Sequence, residues 1–422
     1  MKITFITGHL CKERHALLNE LALDLGELGA KVTVLTGFPS RRISEEVKNY
    51  YLDHPVEQIS ENVVVKRIGS RGGEGEGLFD RMIKYLQLTK ELYKEAKKTP
   101  TDAYYIYSSP PFLGWMGAKL AKYAPTLYNA QDLFPDTLMR IKGLKESNPL
   151  IKYFRYRERK AYQGNTRIVT ISEEMKETIA SHGCPKDKID VIYNWADTES
   201  LYHVDRKDNA LMSELGINKD GFIVSYAGDI GLFQGWPVIV EAAKKVHSQN
   251  SQIRFIIIGS GSYKQKLEQQ IKEENLDFIS VYPLQPASRL SEIYSIGDLE
   301  LVSIEPGLSK MALPSKTFVI MASGSALLSL VDQSSDIARM IKECDMGYTL
   351  EHGDAGALAN TILQAYKERD LLAKKGENAK AWSRVNSSRK TQTIKYYNVL
   401  SEIAKKNLGC KSSSALFYGC KK

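Results

Sequence analysis

Residues 299–330 read LELVSIEPGLSKMALPSKTFVIMASGSALLSL. Residues 299–304 form a short apolar run typical of a strand, and residues 326–330 form a second one. Between them, residues 315–322 have helical periodicity. A strand, a helix and a strand in this order predict a parallel crossover unit, because a tight turn cannot join two parallel strands.

The predicted helix of this unit begins at a position suited to a phosphate. Pro314 fits the first turn of a helix, where its missing N–H costs nothing. Ser315 and Thr317 can cap that turn. Lys316 would then stand beside free backbone donors at the positive end of the helix dipole, an arrangement that favours a bound phosphate. The alternative is an ordinary helix start with an exposed lysine.

The composition is that of a globular protein with a mild preference for anionic partners. The net charge is +8 and 43% of residues are hydrophobic. The basic residues do not form the long run typical of nucleic-acid-binding arms. The five cysteines form no CxxC pair, so we expect neither a zinc site nor a disulfide framework. We also expect neither a signal peptide nor a membrane-spanning helix.

Short apolar runs alternate with helical segments along the chain, which predicts an α/β fold with parallel sheets. The predicted strands of the first half are 2–7, 31–36, 63–68, 103–107, 125–129, 167–171 and 190–193, and those of the second half are 222–227, 254–258, 278–281, 299–304 and 326–330. The series restarts near residue 221, which predicts two doubly wound, Rossmann-like domains. Because ligands bind beyond the carboxyl ends of such strands, we expect the domains to face each other across a cleft.

Two glycine-rich loops follow predicted strands in the second half. The first reads GDIGLFQGW over residues 228–236, and its glycines would let the backbone approach a phosphate closely. A tight turn is the alternative, and the spacing differs from the dinucleotide-binding GxGxxG. The second loop, GSGS over residues 259–262, could lie alongside a nucleobase or a ribose. Glycine turns after parallel strands are common, so an ordinary turn is the alternative.

Polar residues also follow strands in the first half. Asp132 and Asp136 could serve an acceptor hydroxyl or simply begin a helix. Asn194 could hydrogen-bond a ligand or cap a turn. His9 and His15 are weaker candidates, because a lone histidine is more often structural. The sequence contains no GxSxG, HExxH or Walker motif, which argues against hydrolases and P-loop proteins.

Taken together, the loops at 228–235 and 259–261 and the stretch 313–324 resemble the donor half of GT-B glycosyltransferases of family 4. The first half agrees at residues 34–39, 108–113, 131–136 and 193–195. The resemblance covers roughly residues 1–405. It is strongest to bacterial enzymes of surface polysaccharides, namely O-antigen, capsule and colanic-acid transferases that include N-acetyl-L-fucosamine transferase-like proteins.

This resemblance implies a retaining transfer of a sugar from a UDP-sugar, without a metal, to a lipid-diphosphate-linked or saccharide acceptor. The sugar would be an N-acetylated hexosamine or deoxyhexosamine. The resemblance implies an acceptor-side domain over residues 1–200, a donor domain over 201–388, and a helix at 389–406 that returns to the first domain. The remaining residues, 407–422, have no periodicity, which predicts a flexible tail.

The resemblance also implies roles for individual residues. The implied donor-binding set is Gly228, Asp229, Gln234, Gly259, Gly261, Leu284, Ser315, Lys316 and Asn194. Asp132 and Asn194 would line the acceptor side of the cleft. Asp132 and Lys316 are the predicted catalytic residues, and Lys316 would offset charge on the leaving diphosphate.

The chain departs from the family pattern at several positions. Asp229 and Gln234 stand where many members carry Arg and Lys, and Val319 stands where a glutamate binds the ribose. Lys12-Glu13-Arg14 replaces a pair of glycines. Two alternatives therefore remain: a nucleotide-sugar 2-epimerase of the same architecture, and a non-catalytic sugar-nucleotide-binding subunit of a polysaccharide assembly complex.

The segment KYFRYRERK over residues 152–160 is both basic and aromatic. It could touch anionic headgroups near a lipid-linked acceptor, or it could be a solvated helix whose aromatic side chains pack inward. Because the cysteines indicate no disulfide framework, we expect a cytoplasmic protein, and the first of these two alternatives would add peripheral contact at the inner face of the cell membrane.

Overall fold

This computed structural model describes residues 1–12, 15–39, 43–69, 78–311 and 313–417. The chain divides into two compact units, Met1–Tyr193 with the C-terminal segment from Gln392, and Asn194–Thr391. Glu13 and Arg14 of the first loop and the last five residues of the predicted tail lie outside the described residues. None of the described helices combines the length and the apolar character needed to cross a membrane.

The first unit is built on a sheet with the strand order β3-β4-β2-β1-β5-β6-β7-β8. Its strands are β1 (Lys2–His9), β2 (Lys31–Gly37), β3 (Val56–Ser60), β4 (Val63–Ile68), β5 (Ala103–Tyr107), β6 (Thr126–Ala130), β7 (Arg167–Thr170) and β8 (Ile189–Val191). Its helices are α1 (Ala16–Glu27), α2 (Glu45–Asp53), α3 (Leu78–Ala96), α4 (Leu113–Leu120), α5 (Asp136–Lys142), α6 (Pro149–Gly164) and α7 (Glu173–Ser181). The strands are parallel except for β3, which pairs antiparallel with β4 at the sheet edge.

The second unit is built on a parallel sheet with the order β11-β10-β9-β12-β13-β14. Its strands are β9 (Phe222–Asp229), β10 (Ile253–Ser260), β11 (Ile279–Tyr282), β12 (Leu299–Ser303), β13 (Leu327–Leu330) and β14 (Gly347–Leu350). Its helices are α8 (Ala210–Glu214), α9 (Trp236–Gln249), α10 (Lys264–Glu273), α11 (Leu290–Ile293), α12 (Lys316–Ser323), α13 (Asp336–Glu343), α14 (Ala355–Lys367) and α15 (Arg369–Asn386). α16 (Arg389–Phe417) leads from this unit back to the first.

The predicted α/β class with two doubly wound sheets is confirmed. Every strand predicted from an apolar run is present, with bounds shifted by no more than two residues. These strands are recognisable because helices cover both faces of a parallel sheet, so nearly all of their side chains are apolar. In β10, for example, Ile256, Ile257 and Ile258 are all buried.

Sequence analysis missed two of the four edge strands, β3 and β14. In both, most side chains are only partly buried, so their sequences lack the continuous apolar run of the central strands. It also predicted no regular structure for residues 407–422, whereas α16 continues to Phe417. Extending a helix that already exists costs little per residue, so a helix can continue where amphipathic periodicity is absent.

Candidate active site

The second unit has a crevice at the carboxyl ends of β9 and β12. β9 is followed in the chain by β10 on one side, and its other neighbour, β12, is followed by β13 on the opposite side, so the connections from β9 and β12 run in opposite directions. The pairing of β9 with β12 joins Val224 to Leu299 and Ser225 to Glu300. The pairing of β9 with β10 extends further, as far as Asp229. Such a topological switch point is where open α/β sheets bind their ligands.

Lys316 is the first residue of α12, and its side chain reaches into this crevice. Its ammonium Nζ donates a hydrogen bond to the carbonyl oxygen of Leu301, at 3.3 Å. Nζ also lies 3.4 Å from the centre of the Tyr226 ring, a close cation–π contact. Burial lowers the pKa of Lys316 to about 7, against the opposing effects of the carboxylates of Glu300 and Asp229. The lysine is therefore half-buried and directed at the crevice, not an exposed lysine at an ordinary helix start.

Glu300 lies at the floor of the same crevice and was not singled out by sequence analysis. Its side chain is fully buried, and its Oε1 accepts hydrogen bonds from the Ser225 hydroxyl and from the Gly297 N–H. Burial raises the pKa of its carboxyl to about 7. A glutamate inside an otherwise apolar strand is the signal that could have identified it.

The loop after β9 borders the crevice from the other side. Gly228 has φ +136°, and a Cβ at this position would lie 3.8 Å from Lys316 Cδ, so the lysine stem runs alongside the glycine. The Asp229 side chain is exposed, and its carboxylate turns towards Gly231. Gly228 and Asp229 therefore lie near Lys316 in the structure, and their predicted contact with a donor diphosphate stays a prediction.

Gln234 is the last residue of a short 3-10 turn, Leu232–Gln234, which is hydrogen-bonded to the end of β12. Its carbonyl oxygen accepts a hydrogen bond from the Ser303 hydroxyl at 2.6 Å. The side-chain Oε1 is buried and has no hydrogen-bond partner among the described residues. An unsatisfied amide oxygen at this place is consistent with a ligand group that donates to it.

Gly259 and Gly261 are explained by packing within the protein. A Cβ at Gly259 would lie 2.0 Å from the carbonyl oxygen of Gly228, and one at Gly261 would lie 2.3 Å from that of Ile230. The loops after β9 and β10 therefore need glycine to approach each other, as the Ile230 N–H to Ser260 carbonyl hydrogen bond of 2.9 Å shows. Their glycines are required whether or not a nucleotide binds.

His352 is a second residue that sequence analysis missed. It follows β14, and its imidazole packs so closely on Gly235 that a Cβ there would lie 1.8 Å from Nε2. Gly235 has φ +67°, which also favours glycine, and it directly precedes α9. His352 Nε2 is buried without a hydrogen-bond partner among the described residues. A lone histidine in a turn gives no sequence signal of this kind.

The start of α12 differs from the prediction in two ways. Pro314 precedes the helix, which begins at Lys316, and the Ser315 side chain makes no capping hydrogen bond. Thr317 is fully buried, and its Oγ1 has no partner among the described residues. The predicted caps were wrong because the turn closes through backbone bonds instead, from Thr317 N–H to Pro314 and from Phe318 N–H to Ser315.

The remaining predicted residues lie at strand ends in their own units. Leu284 is exposed after β11, and Ser315 is exposed before α12. Asn194 is buried with its Oδ1 unpartnered among the described residues. Asp132 follows β6 in the first unit; its side chain is exposed, yet neighbouring protein atoms exclude enough water to raise the pKa of its carboxyl.

Asp136, the other aspartate after β6, is engaged in an ion cluster. Arg155 Nη1 lies 2.8 Å from Asp136 Oδ2 and 2.6 Å from Glu158 Oε2. Arg155 Nη2 lies 2.7 Å from Glu146 Oε1, and His182 lies 3.3 Å from Glu158. The ligand atoms of Asp136, Glu158 and His182 are near enough to one another to hold a metal ion, but the Arg155 guanidinium already supplies the cation there. The hypothesis that Asp136 serves an acceptor hydroxyl therefore loses support.

Comparison with known proteins assigns both units to families. Residues 15–200 match the family model Glycosyltransferase Family 4, and residues 207–382 match Glycosyl transferases group 1. The chain is 26% identical over 264 residues to the putative colanic acid biosynthesis glycosyl transferase WcaI of Escherichia coli strain K12, which covers 59% of this chain and 64% of the relative. It is 24% identical over 231 residues to the probable glycosyltransferase WbjE of Pseudomonas aeruginosa, which covers 55% and 57%. In both cases the match spans less than two thirds of the relative.

The same fold occurs in solved structures. Anabaena Alr3699/HepE, determined in complex with UDP and glucose, superposes with a TM-score of 0.71 at 16% identity, over 95% of this chain and 100% of the other. The predicted GT-B fold and the predicted family resemblance are thereby confirmed. The chain belongs to the GT-B glycosyltransferases in which a Glycosyltransferase Family 4 region precedes a Glycosyl transferases group 1 region.

Proposed function

We propose that this protein transfers a sugar from a UDP-sugar to a lipid-linked or saccharide acceptor during surface-polysaccharide synthesis, with retention of anomeric configuration. The observation that carries the proposal is Lys316, held in the switch-point crevice between the Tyr226 ring and the Leu301 carbonyl. The names of WcaI and WbjE support the reaction class, and the UDP bound to HepE supports the donor.

In this proposal the donor diphosphate lies above the crevice, at the N-terminus of α12. The Lys316 ammonium would move from the Leu301 carbonyl to the diphosphate and offset the negative charge that grows as the bond to the sugar breaks. Gly228 leaves room for a phosphate beside the lysine stem. Ser315, which is exposed and uses no side-chain hydrogen bond as a cap, is free to donate its hydroxyl.

The remaining predicted residues have supporting roles in the proposal. Leu284, Gly259 and Gly261 would border the base, and Gln234 Oε1 would accept a hydrogen bond from the donor. Asp132 and Asn194 would contact the acceptor, and the raised pKa of Asp132 suits a group that receives a proton from a hydroxyl. The reaction would need no metal, because lysine and helix N–H groups supply the positive charge.

Donor binding tests the proposal most directly. We expect calorimetric titration with UDP to give selective binding over GDP in the wild type, and Lys316→Ala to weaken it about 10- to 100-fold, the loss typical of a charged hydrogen bond. Lys310→Ala is the matched control, because Lys310 is exposed in the loop before α12. An unchanged UDP affinity in Lys316→Ala would remove the assigned role of the lysine.

Turnover then distinguishes transfer from its alternatives. With a UDP-sugar and a lipid-linked acceptor, we expect a glycosylated product whose anomeric configuration, read by NMR, equals that of the donor. We expect a chelator to leave the rate unchanged. UDP binding without product from any acceptor would favour the non-catalytic subunit, and isomerisation of the free UDP-sugar would favour the epimerase.

We further propose that helix α6 contacts the membrane that carries the lipid-linked acceptor. Residues 140–160 contain eight basic and two acidic residues, so this segment carries most of the net charge of the chain. Phe154 and Tyr162 pack inward, whereas Leu150, Tyr153 and Tyr156 are 46%, 51% and 55% exposed. Lys152, Arg159 and Lys160 are exposed on the same helix. Aromatic and basic side chains presented together suit an anionic lipid surface.

Vesicle sedimentation tests this contact. We expect binding to vesicles that contain anionic lipid, weak binding to zwitterionic ones, and a loss of about fivefold for each of Lys152, Arg159 and Lys160 changed to Ser. Lys310→Ser is the matched control, since Lys310 is an exposed lysine in the second unit. Equal binding to both kinds of vesicle would contradict the electrostatic part of this proposal.

A further inference from the structure

Glu300 is a buried carboxyl group inside an otherwise apolar strand, β12. It lies in the centre of the second sheet and is 0% exposed. The Ser225 hydroxyl and the Gly297 N–H donate to Oε1, but Oε2 is buried without a partner among the described residues. A carboxylate oxygen with no donor is costly in a protein interior, so the group is expected to serve a purpose there.

The position of Glu300 relates it to Lys316. Glu300 and Ser225 form the last residue pair in the register of β9 with β12. The Lys316 ammonium hydrogen-bonds to the carbonyl of Leu301, the next residue along β12. The ammonium therefore enters the crevice one residue above the Glu300 pair.

Other charged or titratable groups face the same pair from neighbouring elements. β9 contributes Tyr226, whose ring contacts the ammonium, and Asp229, whose carboxylate also favours the charged lysine. Arg206, before α8, acts on Glu300 in the direction that favours its ionised form, as Lys316 does. The phenol of Tyr294, after α11, also faces Glu300, and burial together with the Glu300 charge raises the pKa of this tyrosine. Of the carboxylates that act on Lys316, Glu300 has the larger effect.

We propose that Glu300 is a positioning residue for the donor site: its buried carboxylate keeps the Lys316 ammonium charged and seated in the crevice until a diphosphate engages it. This inference rests on the proposed function. It explains why a half-buried lysine can carry the proton that diphosphate binding requires, although desolvation opposes that charge.

The sign of the effect follows from the charges. The Glu300 charge opposes the effect of burial on the pKa of Lys316. Without that charge, burial lowers the pKa further, so the lysine would lose its proton at a lower pH. UDP binds the protonated lysine, so the alkaline decline of UDP affinity would move to lower pH in Glu300→Gln. Glu300→Asp keeps the charge and should restore most of the wild-type profile.

The experiment measures UDP affinity by calorimetry from mildly acidic to alkaline pH in the wild type, Glu300→Gln, Glu300→Asp and Glu273→Gln, because the pKa of Lys316 is about 7 in the wild type and is expected to fall in Glu300→Gln. We expect the midpoint of the decline in Glu300→Gln to fall by about one pH unit, which makes UDP binding about tenfold weaker above that midpoint. Glu273→Gln, an exposed glutamate on α10, should match the wild type. A merely structural role for Glu300 would lower stability without moving this midpoint.

Two results would overturn the inference. One is a Glu300→Gln profile that coincides with the wild type while Lys316→Ala weakens UDP binding as expected; the proposed function would then stand without it. The other is an unchanged pKa of Lys316 in Glu300→Gln, read without any ligand from the pH dependence of lysine acylation by mass spectrometry. Absence of UDP binding in the wild type would instead contradict the proposed function, and the acylation profile would still test Glu300.

A second variant guards against misfolding of Glu300→Gln. Ser225→Ala removes the hydroxyl that favours the ionised form of Glu300 but retains the carboxyl group itself. We expect a shift of the UDP midpoint in the same direction and of smaller size. No shift in this folded variant would also contradict the inference.

Discussion

Each of the two units places a basic side chain near buried carboxyl groups. In the first unit the basic group forms ion pairs with them, and in the second it does not. In the first unit, Arg155 is bound by Asp136, Glu158 and Glu146, with oxygens at 2.6 to 2.8 Å. In the second, Lys316 has no ion pair within 4.0 Å among the described residues and donates to a backbone carbonyl instead. Glu300 beside it keeps an unpartnered oxygen.

The pKa values follow this difference. Burial opposes the charge of Arg155, but its ion pairs outweigh burial and raise its pKa. Burial of Lys316 outweighs its neighbours and lowers its pKa to about 7, and burial raises that of Glu300 to about 7. A satisfied cluster holds a structure in place, whereas an unsatisfied pair is what a binding site presents to a charged ligand. The following predictions test that distinction.

Arg155→Met should have the largest effect on stability. It leaves Asp136 and Glu158 without their counter-charge in a largely buried setting, a loss that costs about 3–5 kcal/mol. Denaturant unfolding followed by hydrogen exchange on peptides of the first unit measures it. Lys152→Met, at an exposed position of the same helix, should change little; equal effects of the two variants would show that the cluster is not stabilising.

The stability of the second unit should depend on pH with a minimum near neutrality. The pKa of Glu300 is raised from 4.5 to about 7, so the native state binds more protons in that window and stability falls as pH rises through it. The pKa of Lys316 is lowered from 10.5 to about 7, so stability rises again above neutrality. Each change should be on the order of 1–3 kcal/mol.

The same unfolding measurement across pH tests this minimum. Glu300→Gln should remove the acidic slope, and Lys316→Met should remove the alkaline slope. If the stability of the wild-type second unit were the same at every pH, the prediction that burial shifts the pKa values of Glu300 and Lys316 would be contradicted.

Lys316→Met should leave the second unit as stable as the wild type or more stable by about 1 kcal/mol, the opposite sign to Arg155→Met. An apolar side chain of similar length removes the desolvation of the ammonium, and sites kept for function often gain stability when they are disabled. The melting temperature measures it. A clear loss of stability would mean that Lys316 is a structural residue.

Lys119→Ala should have the smallest effect, at most about 0.5–1 kcal/mol. Lys119 lies 3.7 Å from the centre of the Trp115 ring, as Lys316 does at 3.4 Å from Tyr226, but Lys119 is exposed. Arg157 also stacks on Trp115 at 3.2 Å, so the ring keeps a cation in the variant. Thermal unfolding measures the change, and a larger loss would show that exposure does not weaken the contact.

Much of the fold could be predicted from the sequence because the central strands are apolar on both faces. The outer strands β3 and β14 could not, because their side chains are partly exposed. The sequence also predicted that Lys316 lies at the start of a helix after β12. The predicted side-chain caps of that helix were wrong, because backbone hydrogen bonds close its first turn. His352 was missed because its contact with Gly235 joins residues far apart in the chain.

By itself, the sequence determined the α/β class, the two doubly wound sheets and the position of Lys316 at a helix start after a strand. Local periodicity and glycine spacing carry that information, since they reflect burial and backbone freedom along the chain. Tertiary structure decided which groups meet: Glu300 with Ser225, Lys316 with the Tyr226 ring, and Arg155 with Asp136. Those contacts, and the pKa shifts that follow from desolvation, depend on which strands become neighbours in the sheet and which helices cover them, and no short stretch of the chain records either.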